Sequence, residues 1–239
     1  MFSFFKKVYC INLTSREDRW ERCKKEFDLV NVTNQVERFS AVNLRRFDFD
    51  EQYDVSIGPY SVVSAGGCLA SHRAIIQEAK DNGLENVLVL EDDVGFIPKE
   101  TNNFLKAVDD LKSQDWALFY LGATVERQMI FVTDNLFKTT LAKATHAIAY
   151  NHTVYDEILG TLPEGTNEML KFVKDRAALD DYFVNDIQPR YNCYICNPMF
   201  VVQGRSFSDI VQRNIDYSQD QLRFFQENLP EKQLIENHK

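Results

Sequence analysis

The chain is short of positive charge, of paired cysteines and of long apolar runs, and each shortage narrows what it does. Its 239 residues carry 27 Lys and Arg against 36 Asp and Glu, a net charge of −9. With the basic residues scattered, there is no electrostatic footprint for nucleic acid, and an anionic membrane surface repels the chain. An anionic small molecule stays admissible, because a local pocket can oppose the global sign. No apolar run reaches the roughly 20 residues that cross a bilayer. Met1-Phe2-Ser3-Phe4-Phe5 is too short for a signal core, and Lys6 and Lys7 follow it rather than precede it. Five cysteines (Cys10, Cys23, Cys68, Cys193, Cys196) are an odd number spread over a mid-sized chain. Together these absences predict reduced thiols and a cytoplasmic setting. Cys193-x-x-Cys196 has no second pair to complete a zinc site, and the surrounding Tyr191 to Cys196 reads as a strand. Neither the G-x-G-x-x-G nor the G-x-x-x-x-G-K phosphate loop occurs, which weakens a dinucleotide-binding or nucleotidyltransferase reading.

What is present is an ordinary globular composition, 44% hydrophobic and 26% charged. The length supports one large domain with a substantial core. No repeat, low-complexity tract or linker marks a boundary, so a single domain over 1–239 is predicted.

The informative stretch is Val87-Leu-Val-Leu-Glu-Asp-Asp-Val94, an apolar run that stops abruptly in three acids. The apolar half reads as a strand buried on both faces, as in a parallel sheet covered by helices. Ligands of open α/β sheets gather outside the carboxyl ends of the strands, where these acids fall. Strand alternation predicts Glu91 and Asp93 on one face and Asp92 on the other. Two carboxylates ~6 Å apart repel by about 3 kcal/mol at an effective dielectric near 20. A divalent ion with oxygen preference, Mg or Mn, relieves that cost, and so does protonation of one acid; an acidic turn with no ligand is the plain alternative.

Around that strand the periodicity alternates in the manner of βαβ units. A strand is predicted over Lys7 to Leu13, then a helix over Arg16 to Asp28, capped by Ser15, with Trp20, Cys23 and Phe27 inward. A short strand follows at Val36 to Val42, and a long loop with Gly58-Pro59 at Asn43 to Val63. A second helix starts near Ser64 or Ala65 and stops at Asn82-Gly83, with Gly66 and Gly67 letting an anion approach its free amides. Pro98 to Lys112 reads as a surface helix and Trp116 to Leu121 as a buried strand. From Gly122 the strands shorten (129–132, 137–141, 145–150), which predicts a mixed or antiparallel region. Helices over 154–162, 167–174 and 179–187, strands at 192–196 and 199–202 and a docked helix after Ser218 complete the reading.

Four segments, in order, resemble glycosyltransferase family 25. They are Val8-Tyr-Cys-Ile-Asn-Leu-Thr-Ser-Arg-Glu-Asp-Arg19, Gly67-Cys-Leu-Ala-Ser-His72, Leu90-Glu-Asp-Asp-Val94, and Pro198-Met-Phe-Val-Val-Gln203 with Ser208-Asp-Ile210. Thr145-His-Ala147 matches a weaker segment. Ala65 stands where the family often has Glu, and Ile148 where Tyr is common. The resemblance implies an α/β, GT-A-like fold. A Rossmann-type nucleotide-sugar half (about 1–121) would continue into a mixed-sheet acceptor half (about 122–239).

The resemblance implies transfer of galactose or glucose from a UDP-sugar, with inversion, to a hydroxyl of a glycan or a hydroxylysine. A divalent ion, Mn2+ rather than Mg2+, would be held by Asp93 with Glu91. Asn12, Leu13, Arg16, Arg19, Ser71, His72 and Asp92 would surround the nucleotide sugar. Read as residues alone, Arg16 and Arg19 pair with Glu17 and Asp18 on a solvated helix, and His72 is a core histidine; the resemblance tips Arg16 and Asn12 toward function. Inversion needs a general base. Asp181 is the first candidate and Asp180 the second, against their alternative use as helix caps. His146 is a candidate metal or acceptor ligand, and Gln203 and Asp209 read as supports at the closing edge. An alternative from another class is a binding module that kept the fold and lost turnover.

Overall fold

A computed structural model describes residues 1–230 except 59, 177, 205, 209, 211 and 212, with 206–208 as backbone only. Asp209 therefore lies outside the described residues. Eight strands form one sheet: β1 (Val8–Asn12), β2 (Glu37–Ser40), β3 (Asn86–Glu91), β4 (Leu118–Tyr120), β5 (Ile130–Thr133), β6 (Leu136–Lys138), β7 (Ala147–Asn151) and β8 (Cys193–Cys196). Their spatial order is β2-β1-β3-β7-β4-β8-β6-β5. β2, β1 and β3 run parallel, β7 enters antiparallel between β3 and β4, and β8 lies parallel to β4. This is the mixed α/β sheet expected. The stretches before and after Gly122 share it, since β7 from the second is inserted among strands of the first.

Residues Val87 to Leu90 are completely buried and alternate between two cores. Val87 and Val89 join one with Tyr9, Ile11, Ile148 and Tyr150, under helix α2 (Val62–Asp81). Leu88 and Leu90 join the other with Cys10, Cys23 and Phe27, under helix α1 (Glu17–Leu29). Helix α3 (Thr101–Leu111) covers the second core with Phe104, Ala107, Val108 and Leu111. Each such fully buried aliphatic side chain contributes roughly 1.5–3 kcal/mol of transfer free energy. Cys193 faces the first core and Cys196 the second, so these two thiols stand on opposite faces of β8; all five cysteines are free.

Three local expectations change. α1 starts after Arg16 with no side-chain cap, so Ser15 does not serve as one. α2 starts two residues early, at Val62, with the Ser61 hydroxyl accepting from Ser64 N at 3.3 Å. Val62 and Val63 are weak helix formers, but both are buried, and packing overrides propensity. Gly66 and Gly67 then lie inside the helix, where their amides are spent on it. A Cβ on Gly67 would stand 2.6 Å from the Val42 carbonyl oxygen, and one on Gly66 2.9 Å from Leu44 and Leu170 side chains. The two glycines allow close packing against the loop after β2 and the Leu170 side chain. Finally, the strand predicted near 199–202 pairs antiparallel, over Val201–Gln203, with the apolar run at 94–96, where no strand is predicted, and the two make a separate two-stranded sheet.

This small sheet crosses the main one at Gly122. Phe200 N and Val201 N both donate to Leu121 O, at 2.9 and 3.1 Å. A Cβ on Gly122 would lie 1.7 Å from Val201 O, an impossible approach to backbone. Gly122→Ala is expected to cost roughly 3 kcal/mol or more. Gly160→Ala, in helix α4 (Tyr155–Thr161) with nothing within 4 Å of the added carbon, is expected to be neutral or slightly stabilising. Urea denaturation of the two variants beside the parent checks the contrast.

Candidate active site

The carboxyl ends of β1, β3 and β4 and the amino end of β7 meet along one edge of the sheet. That edge collects Asn12, Glu91 and the turn at Asp92 and Asp93, with Thr145 and His146 arriving from β7. Glu91 N donates to His146 O at 2.8 Å, which locks the two chain segments together.

The acids do not divide as alternation predicted. β3 ends at Glu91, and Asp92 and Asp93 form a turn into Val94–Phe96, so the period of two is broken where it was extrapolated. Glu91 faces α2; Asp92 and Asp93 both turn toward Arg19 of α1. Arg19 Nη2 contacts Asp92 Oδ1 directly and lies 3.8 Å from Asp93 Oδ2. Asn12 Nδ2 donates to Asp92 Oδ2 at 2.6 Å, and Arg22 Nη2 donates to the Asp92 carbonyl at 2.6 Å. Gln203 Nε2 donates to Asp93 Oδ2 at 2.8 Å. Burial pushes the Asp92 carboxyl up to about 6, against the pull of Arg19, with the Asp93 charge adding to the rise and Asn12 opposing it.

That balance yields a prediction. The folded value lies above the unfolded one, so stability tied to Asp92 is present below pH 4 and is lost as pH rises through about 6. Arg19→Ala removes the attraction that limits the loss. It is expected to cost roughly 3 kcal/mol near pH 8 and distinctly less near pH 5. Thermal unfolding at both pH values measures the difference.

Glu91 is held differently. Its Oε1 accepts from Thr145 Oγ1 at 2.6 Å, and stands 3.4 Å from His72 Nε2 and 4.0 Å from Cys68 Sγ. His72 Nδ1 in turn meets Tyr150 Oη at 2.8 Å. Burial acts to raise the Glu91 pKa, but the hydrogen bond and charge of His72, with the hydrogen bond from Thr145, outweigh it and hold the carboxyl below the ordinary range. Burial, then the Glu91 charge, push the Cys68 thiol well up.

Two cavities flank Glu91. The first, about 310 Å3, opens between the ends of β1 and β3, the 41–45 loop and the first turns of α2; Asn12, Leu13, Arg19, Ser71, Glu91, Asp92 and Asp93 are in its wall. The second, about 340 Å3, is walled by Tyr60, Lys143, Thr145, Asp180, Tyr217 and Phe224 among others. Glu91, Cys68, Gln203 and Ile210 belong to both, so the cavities adjoin there. Each has the size of a small-molecule site.

In the second cavity, Asp180 Oδ2 accepts from Ala144 N at 3.1 Å and Oδ1 from Asp181 N at 3.0 Å. Burial raises the Asp180 pKa against those two bonds, and the neighbouring Asp181 charge adds to the rise. Asp181 is not in the cavity wall; its carboxylate lies 3.6 Å from Lys143 Nζ. Of the two candidate bases, Asp180 faces the cavity and Asp181 does not.

Of the other residues singled out from sequence, Arg16 bonds Asp18 through Nε and Nη2, both at 3.1 Å, and is not in the wall of either cavity. His72 is fully buried behind Glu91 rather than in a wall. Ser71 Oγ accepts from Val42 N at 2.8 Å and donates to Gly67 O at 2.7 Å, which fixes the loop that closes the first cavity. Arg38 was missed. Its Nε donates to Asn12 Oδ1 at 2.9 Å, and its guanidinium lies over the Trp20 ring. Parallel pairing of β1 with β2, which sets Arg38 opposite Cys10, is the signal that finds it.

Among the buried atoms that lack a well-formed hydrogen bond to the described residues are Asp93 Oδ1 and both ring nitrogens of His146, although the Val201 backbone also acts on that imidazole. Such groups cost about 1–3 kcal/mol each when left alone. Burial lowers the His146 pKa, against the charges of Asp93 and Glu91 and a bond with the Val201 backbone, which favours the neutral imidazole that serves as a metal ligand. A carboxylate oxygen and an imidazole nitrogen are both ligand types for a divalent ion.

Comparison with known proteins agrees with the sequence resemblance. The profile of a family described as glycosyltransferase family 25 (LPS biosynthesis protein) matches residues 5–162, more than half of the chain. Human procollagen galactosyltransferase 2 is 30% identical over 131 residues, 49% of this chain and 21% of that protein. A glycosyltransferase 25 family member of Aedes aegypti is 31% identical over 127 residues, 48% of this chain and 21% of that one. Human inactive glycosyltransferase 25 family member 3 is 30% identical over 132 residues, 49% of this chain and 22% of the other. The chain thus spans about a fifth of the length of these relatives. A solved glycosyltransferase involved in glycosylation of the major capsid of PBCV-1 superposes at a TM-score of 0.45, with 12% identity over 79% of each chain.

Proposed function

Because the chain belongs to glycosyltransferase family 25, we propose that it transfers a hexose, galactose or glucose, from a UDP-sugar to a hydroxyl of a glycan or hydroxylysine acceptor, with inversion. The observation that carries this reading is the pair of adjoining cavities, one walled by the acid-and-arginine cluster and the other by a buried carboxylate. The nucleotide sugar occupies the cavity at the ends of β1 and β3, and the acceptor the cavity beside Asp180. The two substrates meet at Glu91.

In this reading Asp180 accepts the proton of the attacking hydroxyl. Its burial favours the role, since a base with a raised pKa pulls harder on the proton. The hydroxyl oxygen bonds to the anomeric carbon from the side opposite the diphosphate, which leaves with the electron pair of the broken bond. Asp93 and His146 are the residues to hold a divalent ion, with Glu91 at a distance set by its bonds to Thr145 and His72. Bound there, the ion supplies charge neutralisation for the departing diphosphate. Arg19 and Gln203 keep Asp93 in place, and Asn12 orients Asp92. The 41–45 loop, anchored by buried Leu44, covers one side of the donor.

Calorimetric titration with UDP-galactose and UDP-glucose, each with Mn2+ and with Mg2+, tests the reading. Binding that depends on the ion, followed by slow release of UDP, is expected. Binding of donor with no release of UDP and no transfer to any hydroxyl supports instead a binding module that lost turnover, a state that the names of some relatives record.

A further inference from the structure

The donors around Glu91 suggest a second kind of metal chemistry. Among the described residues, one group of three or more His, Cys, Asp or Glu side chains brings its ligand atoms within 4.8 Å of one another: Cys68, His72 and Glu91. We propose that Cys68 Sγ, His72 Nε2 and Glu91 Oε1 form a three-ligand site for Zn2+, distinct from the Asp93 and His146 pair and set where the two cavities adjoin.

The separations are those of a zinc site before it closes. Tetrahedral Zn2+ at ordinary bond lengths sets its nitrogen and oxygen ligands about 3.4 Å apart and its sulfur and oxygen about 3.6 Å apart. The structure has 3.4 Å from His72 Nε2 to Glu91 Oε1 and 4.0 Å from Cys68 Sγ to the same oxygen. The thiol has to move a few tenths of an ångström toward that oxygen, and its sulfur lies within 4.8 Å of His72 Nε2. Cys68 and His72 are four apart on α2, so both point from one face of a rigid helix at the end of β3.

The outer partners are also in place. A ligating imidazole keeps its other nitrogen on a hydrogen-bond partner, and His72 Nδ1 has Tyr150 Oη at 2.8 Å. In that tautomer Nδ1–H donates to Tyr150 and Nε2 offers its lone pair to the ion. A ligating carboxylate is likewise supported, and Thr145 Oγ1 donates to Glu91 Oε1 at 2.6 Å. Cys68 and Glu91 line the cavities, which gives the ion a way in and leaves a fourth position for water. The donor set of sulfur, nitrogen and oxygen selects Zn2+ or Co2+ over Mg2+ and Mn2+, which prefer oxygen. On binding, the thiol proton passes to solvent, so thiolate and carboxylate together neutralise the ion.

Co2+ is the probe, because a cobalt–thiolate bond absorbs strongly in the near ultraviolet and tetrahedral cobalt absorbs in the visible. Titration of the full chain with Co2+ is expected to saturate at one equivalent with both bands, and Zn2+ to abolish them. In Cys68→Ala the charge-transfer band is expected to vanish and the affinity to fall at least about 100-fold, although four other cysteines remain. Glu91→Gln, which keeps the thiol, is expected to weaken binding at least about tenfold, and it serves if Cys68→Ala does not fold. No thiolate band in the parent chain, the band surviving in Cys68→Ala, or unchanged affinity in Glu91→Gln overturns the site. None of these readouts requires a sugar donor, so they stand or fall apart from the proposed transfer.

Discussion

Asp180→Asn is expected to lower turnover by about 10²–10⁴-fold, the range that a positioned general base supplies, while leaving UDP-sugar affinity within a factor of about two. The asparagine keeps the size of the side chain, but its single oxygen serves only one of the Ala144 and Asp181 amides, which use separate carboxylate oxygens, so one of those bonds is lost along with the proton acceptor. The pH profile separates this from a packing effect. A base must be ionised, and burial raises the Asp180 pKa, so activity climbs with pH on a limb displaced to higher pH than an ordinary aspartate gives. In Asp180→Asn that limb is expected to disappear. Asp181→Asn, which loses a half-exposed contact with Lys143, is expected to change turnover less than about threefold, as exposed pairs contribute little. Equal losses in the two variants, or a limb that persists in Asp180→Asn, refute the assignment of the base.

The second large effect is expected at the acid cluster. Asp93→Asn should abolish the dependence of donor binding on a divalent ion, leaving the same weak affinity with Mn2+ as with EDTA. In the parent chain, EDTA is expected to weaken the donor by at least about 100-fold, since roughly 3 kcal/mol or more of diphosphate neutralisation goes with the ion. Asn retains an acceptor for Gln203 Nε2 at 2.8 Å, so the turn has no reason to collapse. It replaces the charged oxygen partner that Oδ1 offers, an atom with no protein partner among the described residues. His146→Ala is expected to weaken ion-dependent binding by a smaller factor, as the loss of one neutral ligand. Calorimetry with UDP-galactose and excess Mn2+ or EDTA measures all three chains. An Asp93→Asn chain that still distinguishes Mn2+ from EDTA removes Asp93 from the ion's ligands.

Periodicity was sufficient where one physical demand acted alone. Val87 to Leu90 had to be a doubly buried strand, because four apolar side chains in alternation fill two cores at once. Trp20, Cys23 and Phe27 had to line one side of a helix, and Asn82-Gly83 had to end the next one, where Gly83 takes the left-handed conformation at φ +63°. The shortening of strands after Gly122 announced a mixed sheet. The clustering of acids at the carboxyl end of β3 was likewise legible, since strand polarity alone sends them to the ligand edge.

Only tertiary structure decided how those acids were used. Alternation holds inside a ladder and stops at its last pair, so the turn at Asp92 and Asp93 swung both toward Arg19 and left Glu91 to His72 and Thr145. Which of Asp180 and Asp181 faces the cavity depends on one residue of helical rotation, about 100°, which no pattern of adjacent identical residues encodes. Arg16 and Arg19 are three residues apart with the same chemistry, yet one closes on Asp18 and the other reaches the buried acids. The packing that requires Gly122 and Gly67 involves backbone from residues 201 and 42, distant in sequence. Local composition fixes which segments are buried and which carry charge, because those depend on each residue's own affinity for water. Partnership among the charges depends on long-range crossings of the chain, and only the folded arrangement specifies them.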